Sequence, residues 1–224
     1  MHELCFRCLG ARPEPFAAGP SLELRIAVRD EPGRDVGAIA LRCQLRVEPQ
    51  RRGYSQAEAG RLHDLFGPRE RWSETLHPFS LAHLTAMVPA FRLESEFNLA
   101  VPLSYDLEVA AGKYFASLED GAIPLRLLFS GTIFTGIGQR LVIEPIPWSA
   151  EASFDLPAGT WRATMDAHFP GGGWIRLRSE TIARLRQAVA ETPVLGVDEL
   201  IDRLLCLHTA LGEQSLGELS ARRS

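Results

Sequence analysis

The chain has 224 residues, of which 46% are hydrophobic, and a formal net charge of −4. This length fits one large domain, or one domain with a helical appendage, and the composition is sufficient for a buried core. The net negative charge does not indicate the basic surface that nucleic-acid-binding proteins use. No apolar run approaches the ~20 residues that a membrane span needs.

The first residues, Met1-His2-Glu3-Leu4, lack the basic stretch and long apolar stretch of a secretory signal. We therefore expect a cytoplasmic protein. Its four cysteines are expected to be reduced thiols: Cys5, Cys8, Cys43 and Cys206.

Alternation of apolar and polar residues predicts strands through residue 147. The clearest examples are residues 22–28 and 39–47, each with one apolar and one polar face. Other segments with strand character are 4–8, 79–88, 93–101, 105–109, 123–134 and 141–146. The last two are expected to form a hairpin.

Helical signals occur in two places. Ser55 and Glu58 form an S-x-x-E capping box that predicts an inserted helix near 55–66, ended by Gly67. After residue 147 the apolar spacing becomes helical, as in Trp161, Met165 and Phe169. We expect an α+β fold: an antiparallel, immunoglobulin-like β-sandwich over 1–147, a helical unit packed on it over 148–211, and a flexible tail over 212–224.

The C-x-x-C pair of Cys5 and Cys8 is a weak candidate for a metal or redox site. There is no second C-x-x-C, and the two side chains point to opposite faces if the segment is a strand. A packed cysteine beside a surface cysteine is the simpler interpretation. The six histidines form no H-x-H or H-E-x-x-H pattern, although folding can bring distant histidines together.

No motif predicts a catalytic residue or a cofactor. A G-x-S-x-G elbow is missing, and the glycines at 136–138 and 171–173 lack the spacing and the Lys-Ser/Thr of a phosphate loop. The four tryptophans are interpreted as core cover, with a role at a partner interface as the alternative: Trp72, Trp148, Trp161 and Trp174.

Four arginines form the candidate binding site. Arg42 and Arg46 share the polar face of a predicted strand, and Arg51 and Arg52 follow at its end. Such a face is a candidate for docking an acidic protein partner. The alternative is a solvated sheet face with cross-strand ion pairs, for example to Glu23.

Seven short stretches carry a resemblance to a known family: 12–15 (RPEP), 39–44 (IALRCQ), 47–52 (VEPQRR), 65–67 (LFG), 108–114 (EVAAGKY), 128–132 (LFSGT) and 173–177 (GWIRL). Together they resemble an uncharacterised bacterial family of unknown function, over residues 1 to about 190. The resemblance implies no catalytic residues. It does imply a genomic context, because members of this family are encoded near nickel–iron hydrogenase genes.

We therefore expect a non-enzymatic accessory or assembly protein that binds a protein partner, such as a hydrogenase subunit or maturation factor. A metal- or cofactor-handling protein that uses Cys5, Cys8 and histidines is the alternative. An enzyme with a dispersed active site is a third hypothesis, which requires a deep polar pocket.

Overall fold

Strands form where the sequence alternates apolar and polar residues, because one face of each strand packs into a core while the other meets water. This computed structural model describes residues 3–14, 16–31, 35–103, 111–137, 140–168, 170–171 and 177–221. Within them the strands are β1 (Glu3–Pro13), β2 (Ser21–Glu31), β3 (Asp35–Val47), β4 (Phe79–Val88), β5 (Phe91–Arg92), β6 (Glu94–Pro102), β7 (Ala122–Ile137), β8 (Arg140–Pro145) and β9 (Glu151–Pro157).

The strands form two antiparallel sheets. The smaller sheet has the order β1-β2-β6, and the larger sheet has the order β4-β3-β7-β8, with β5 paired to β3 and β9 paired to β7. Strand β7 has 16 residues, so it pairs with β3 along one side and with both β8 and β9 along the other.

The apolar faces of the two sheets enclose the core. Phe6 of β1 stacks on Phe129 of β7, with ring centroids 4.2 Å apart and ring planes 20° from parallel. Ile26 of β2 and Leu41 of β3 are also buried. Strand β1 contacts β9 and β4 contacts β6, which joins the two sheets along both sides. Apolar area removed from water in this way contributes about 25 cal/mol per Å².

Helices connect and flank the strands. The helices of the first compact unit, residues 1–173, are α1 (Gln56–Phe66), α2 (Trp72–Thr75), α3 (Lys113–Ser117) and α4 (Ala158–His168). Helix α4 contacts β1, β2 and β9. The second unit, residues 174–224, contains α5 (Ser179–Glu191) and α6 (Val197–Ala221), which contact each other.

The α+β class, the antiparallel sheets and the helical C-terminal part are confirmed. The inserted helix is also confirmed as α1, whose capping box joins the Ser55 side chain to the Glu58 backbone and the Glu58 carboxylate to the Ser55 backbone. The predicted strand at 105–109 lies outside the described residues. The packing of the helical unit on the sandwich stays a prediction.

Two segments differ from expectation. Residues 151–157 were expected in the helical unit but form β9, because Ala152, Phe154 and Leu156 alternate with polar residues and continue the larger sheet beside β7. Helix α6 continues to Ala221, into the segment that we expected to be a tail. Among the helices of the described residues, none has the length and hydrophobicity required to cross a membrane.

Candidate protein-binding face

Strand β3 places alternate side chains on opposite sides of the larger sheet. Leu41, Cys43 and Leu45 point inward and are buried, whereas Arg42 and Arg46 lie on the outer face. Neighbouring strands β4 and β7 hold β3 on both sides, so these two arginines stand near the middle of the sheet. The predicted shared face is therefore present.

Arg42 is exposed and has no charged neighbour across the strands, since Thr85 of β4 and Ser130 of β7 lie opposite it. Arg46 is half-buried and lies between Ser80 and Arg126. Within the part of the chain that the structure describes, neither guanidinium makes a hydrogen bond or an ion pair. Both positive charges are available to a partner.

Arg126 differs from its neighbour Arg46 because carboxylates surround it. Its guanidinium lies 3.3 Å from Glu48 and 2.6 Å from Glu151. Arg51 also binds Glu48, at 2.8 Å. Burial raises the pKa of Glu48, but its hydrogen bonds and charge interactions with Arg51 and Arg126 outweigh this and hold that pKa below its usual value. Arg51 is thus exposed but already paired.

Arg52 does not belong to the outer face that carries Arg42 and Arg46. Its side chain is only 10% exposed, and it donates to the Glu58 carboxylate at 2.9 Å and to the backbone oxygens of Asp120 and Ala122. Its guanidinium also lies 4.9 Å from the ring centroid of Tyr54. Of the four predicted arginines, Arg42 and Arg46 carry unpaired charge on the outer face of the sheet. Arg51, beyond the end of β3, is neutralised by Glu48. Arg52 belongs to a buried structural network with Glu58.

The alternative ion pair to Glu23 does not involve these arginines. Glu23 lies in β2 of the smaller sheet and binds Arg12, with a shortest distance of 2.6 Å. The outer face of the smaller sheet carries further contacts of this kind, from Arg7 to Glu94 and from Arg25 to Glu96, each at 3.8 Å. Charges are therefore balanced on that sheet and unbalanced around Arg42.

Exposed apolar side chains continue the face beyond Arg42. Met87 of β4 and Leu141 and Ile143 of β8 are 67%, 64% and 59% exposed. The strand register places Ala40 between Met87 and Thr132, and Phe134 beside Ile143, so these side chains form one surface across four strands. Sequence reasoning missed this patch, although the uninterrupted apolar run at 141–143 shows that β8 has apolar residues on both faces.

One tryptophan is exposed in a turn at the sheet edge. Trp148 lies in the tight turn between β8 and β9, where the Ala150 amide donates to the Pro147 oxygen at 3.0 Å, and its side chain is 96% exposed. Trp72 and Trp161 are buried, as expected for core cover, but Trp148 is not. Trp174 lies outside the described residues.

The cysteine pair does not converge. Cys5 lies opposite Arg29 and is exposed, whereas Cys8 lies opposite Ile26 and is partly buried. Burial raises the pKa of the Cys8 thiol to about 11, with a smaller opposing effect from the Gly10 carbonyl. Among the described residues no group of three or more histidines, cysteines or acidic residues is placed to hold a metal ion. His2 lies outside them.

No curated protein matches this chain. Two solved structures show a weak likeness. One is a selenomethionine-labelled β-glucosidase from Kluyveromyces marxianus (8% identity, TM-score 0.26, 69% of this chain and 15% of that chain). The other is β-glucosidase 3B from Thermotoga neapolitana in complex with α-D-glucose (11% identity, TM-score 0.25, 69% of this chain and 17% of that chain). This chain therefore spans only a small part of either enzyme.

A family model matches nearly the whole chain, over residues 1–212. The match extends beyond the limit near residue 190 that the short stretches indicated. The chain belongs to this family, which is described as a family of unknown function (DUF6084).

Proposed function

We propose that this chain is a non-enzymatic accessory protein that binds a partner protein through the outer face of its larger sheet. The resemblance to proteins encoded near nickel–iron hydrogenase genes suggests the partner to test first, a hydrogenase subunit or a hydrogenase maturation factor. The proposed site of this association is the cytoplasm.

The observation that carries the proposal is the combination of free charge and exposed apolar surface on one face. We call it the docking face and define it by Arg42, Arg46, Met87, Leu141 and Ile143. Its apolar part crosses four strands, a width of about 14 Å at the usual strand spacing. Exposed apolar patches rimmed by polar groups are typical of protein interaction sites.

The unpaired arginines indicate the chemistry of the partner. Arg42 and Arg46 have no carboxylate partner among the described residues, so an incoming Asp or Glu does not have to displace one. Guanidinium groups bind carboxylates through paired hydrogen bonds and are enriched at interfaces. The complementary surface is therefore an apolar ridge that fits Met87 and Ile143, flanked by carboxylates over the arginines.

The two other functional hypotheses have less support. Cys5 and Cys8 diverge on their strand, so a metal site would need ligands from outside the described residues. A crevice of about 290 Å³ on the smaller sheet is lined in part by Arg12, Glu23 and Arg25. Arg12 and Glu23 pair with each other there, which leaves neither poised as a catalytic acid or base.

The experiment measures binding of the full chain to purified nickel–iron hydrogenase large and small subunits and maturation factors from the same genome, by biolayer interferometry. The test variant is Arg42→Glu/Arg46→Glu. The matched control, Arg7→Glu/Arg25→Glu, makes the same charge change on the outer face of the smaller sheet. We expect binding of one of these proteins to weaken at least about tenfold in the test variant and at most about twofold in the control.

Equal weakening in the two variants would show that net charge, rather than this face, governs association. Failure of every purified hydrogenase protein to bind the wild-type chain would overturn the proposed partner. Thermal melts of both variants check that the fold is retained.

A further inference from the structure

We infer that β8 accepts an extended segment of the partner as an additional strand of the larger sheet. The inference rests on the proposed function, because the same partner supplies the segment. It concerns the edge of the sheet, whereas the docking face concerns its outer surface.

Strand β8 is an edge strand. It pairs with β7 along one side, and within the described part of the chain no strand pairs with its other side. Strand β9 lies along the same side of β7, but it contacts β1 of the smaller sheet. Among the described residues, the β8 edge therefore differs from the β9 edge in having no strand paired with it.

The ladder with β7 shows which backbone groups of β8 are free. The Ile146 amide donates to the Gly131 oxygen at 3.0 Å, and the register continues through Glu144 opposite Ile133 and Val142 opposite Thr135. In an antiparallel ladder alternate residues bond to the same neighbour, so Val142 and Glu144 face β7. The N–H and C=O groups of Leu141 and Ile143 then point away from β7, toward the open edge.

Side chains along β8 set the pattern that a guest strand needs. Leu141 and Ile143 lie on the outer face, more than half exposed. Cross-strand neighbours on one face of a sheet stabilise each other when both are apolar. A guest segment therefore needs apolar residues at every second position, so that they lie beside Leu141 and Ile143 and extend the apolar part of the docking face.

Pro145 and Trp148 mark one end of the edge. Pro145 has no N–H, so β8 cannot donate a backbone hydrogen bond to a guest strand at this position. Trp148 follows three residues later in the turn, almost fully exposed. Exposed tryptophans in rigid turns are good anchors, because a large ring binds with little loss of conformational freedom.

A second copy of this chain fits the edge less well. Pairing of two β8 strands alone involves only six residues from each copy, whereas a stable interface usually takes about 20–30 residues, or roughly 800 Å², from each partner. A partner segment that pairs with the edge while the rest of its surface covers the docking face meets that requirement. Strand addition to a sheet edge is a common mode of peptide recognition.

The first test selects peptides from a random 12-residue phage library on the immobilised full chain, with depletion on a Leu141→Lys/Ile143→Lys variant. We expect enriched peptides with apolar residues at alternating positions. Absence of enrichment would overturn the inference.

The second test uses one enriched synthetic peptide and measures amide hydrogen exchange by NMR. We expect exchange at Leu141 and Ile143 to slow at least about tenfold on peptide binding, because both amides gain hydrogen bonds, whereas Val142 and Glu144 keep their rates. A bound peptide that leaves Leu141 and Ile143 unchanged would also overturn strand addition.

A matched pair of variants separates backbone from side-chain effects. Ile143→Pro removes the outward N–H, and Ile143→Ala truncates the side chain but keeps that N–H. We expect the proline variant to lose peptide binding and the alanine variant to retain part of it; equal losses would argue against backbone pairing.

The peptide should bind Arg42→Glu/Arg46→Glu within about twofold of wild type, since β7 lies between β3 and β8. Failure of strand addition is therefore distinguishable from failure of the docking face.

Discussion

The Arg52 guanidinium donates to the Glu58 carboxylate at 2.9 Å, and both side chains are nearly buried, at 10% and 5% exposure. Glu58 also accepts from the backbone amides of Ser55 and Glu119. This pair ties the start of α1 to the segment that precedes β7. Because the carboxylate has three donors, the buried charge is well compensated.

Removing one partner of this pair should destabilise the fold. Arg52→Ala leaves the Glu58 charge buried beside only backbone donors, and we expect the free energy of unfolding to fall by about 3 kcal/mol. Arg51→Ala is the matched control, since it removes an exposed ion pair with Glu48 and should lower the free energy of unfolding much less. Urea unfolding followed by tryptophan fluorescence measures both. Equal losses would show that the Arg52 network does not stabilise the fold more than a surface pair.

The same carboxylate predicts a pH dependence. Burial raises the pKa of Glu58, but the backbone amides and Arg52 outweigh it and hold the pKa below its usual value. A carboxyl whose pKa is lower in the folded state stabilises the fold above its unfolded pKa of about 4.3 and loses that contribution as the pH falls. We therefore expect wild-type stability to decline below about pH 5, with a shallower slope for Glu58→Gln between about pH 5 and 3. Parallel slopes would contradict this role.

Two glycines of β7 should differ sharply in their tolerance of alanine. Gly131 has φ +137°, and a Cβ there would collide with the backbone oxygen of Ala40. Gly136 has open space around the same position. We expect Gly131→Ala to lower the free energy of unfolding by about 3 kcal/mol or more and Gly136→Ala by less than about 1 kcal/mol. Chemical denaturation tests the pair, and similar values would show that the close strand approach at Gly131 relaxes easily.

The rate of thiol alkylation in the native protein should be lower for buried cysteines than for exposed ones. Burial, and to a smaller degree nearby Cys8, raises the pKa of Cys43 to about 12, so little of it is thiolate at pH 8. Cys5 and Cys206 are exposed. With iodoacetamide on the native protein, peptide mass spectrometry should find Cys5 and Cys206 modified first and Cys43 unmodified. In guanidinium chloride all four thiols should react at similar rates. Rapid native modification of Cys43 would indicate that the sheets separate locally.

Metal content decides the hypothesis based on Cys5 and Cys8. Since the two side chains lie on opposite faces of β1, we expect the same Zn, Ni and Fe content by elemental analysis in wild type and in Cys5→Ser/Cys8→Ser. Stability should also be unchanged by EDTA. Bound metal in stoichiometric amount that the double variant loses would favour the metal-handling function instead.

Sequence patterns predicted the strands and helices whose formation depends on residues close together in the chain. The alternation around Arg42 predicted both β3 and the face on which Arg42 and Arg46 lie. The Ser55 and Glu58 spacing predicted the start of α1, since capping is complete within four residues. The residues of β9 also alternate between apolar and polar, but the helical spacing that begins at Trp161 led to their assignment to the helical unit.

Long-range contacts explain what sequence reasoning missed. Arg52 adjoins Arg51 in sequence, and its carboxylate partner Glu58 is six residues away, but its two backbone acceptors at Asp120 and Ala122 are 68 and 70 residues away. The burial of Arg52 depends on that long-range contact, which no local pattern predicts. Trp148, as a large aromatic residue, was interpreted as covering the core. Its exposure depends on the turn between β8 and β9, whose position is set by pairing with β7.

The contact between β1 and β9 has a consequence for synthesis on the ribosome. Strand β1 begins at Glu3, whereas β9 ends at Pro157, so most of the chain must be made before the two can meet. Until then one side of the core is open to solvent. A nascent chain arrested before β9 emerges should therefore be sensitive to protease, and one arrested well beyond it should be resistant.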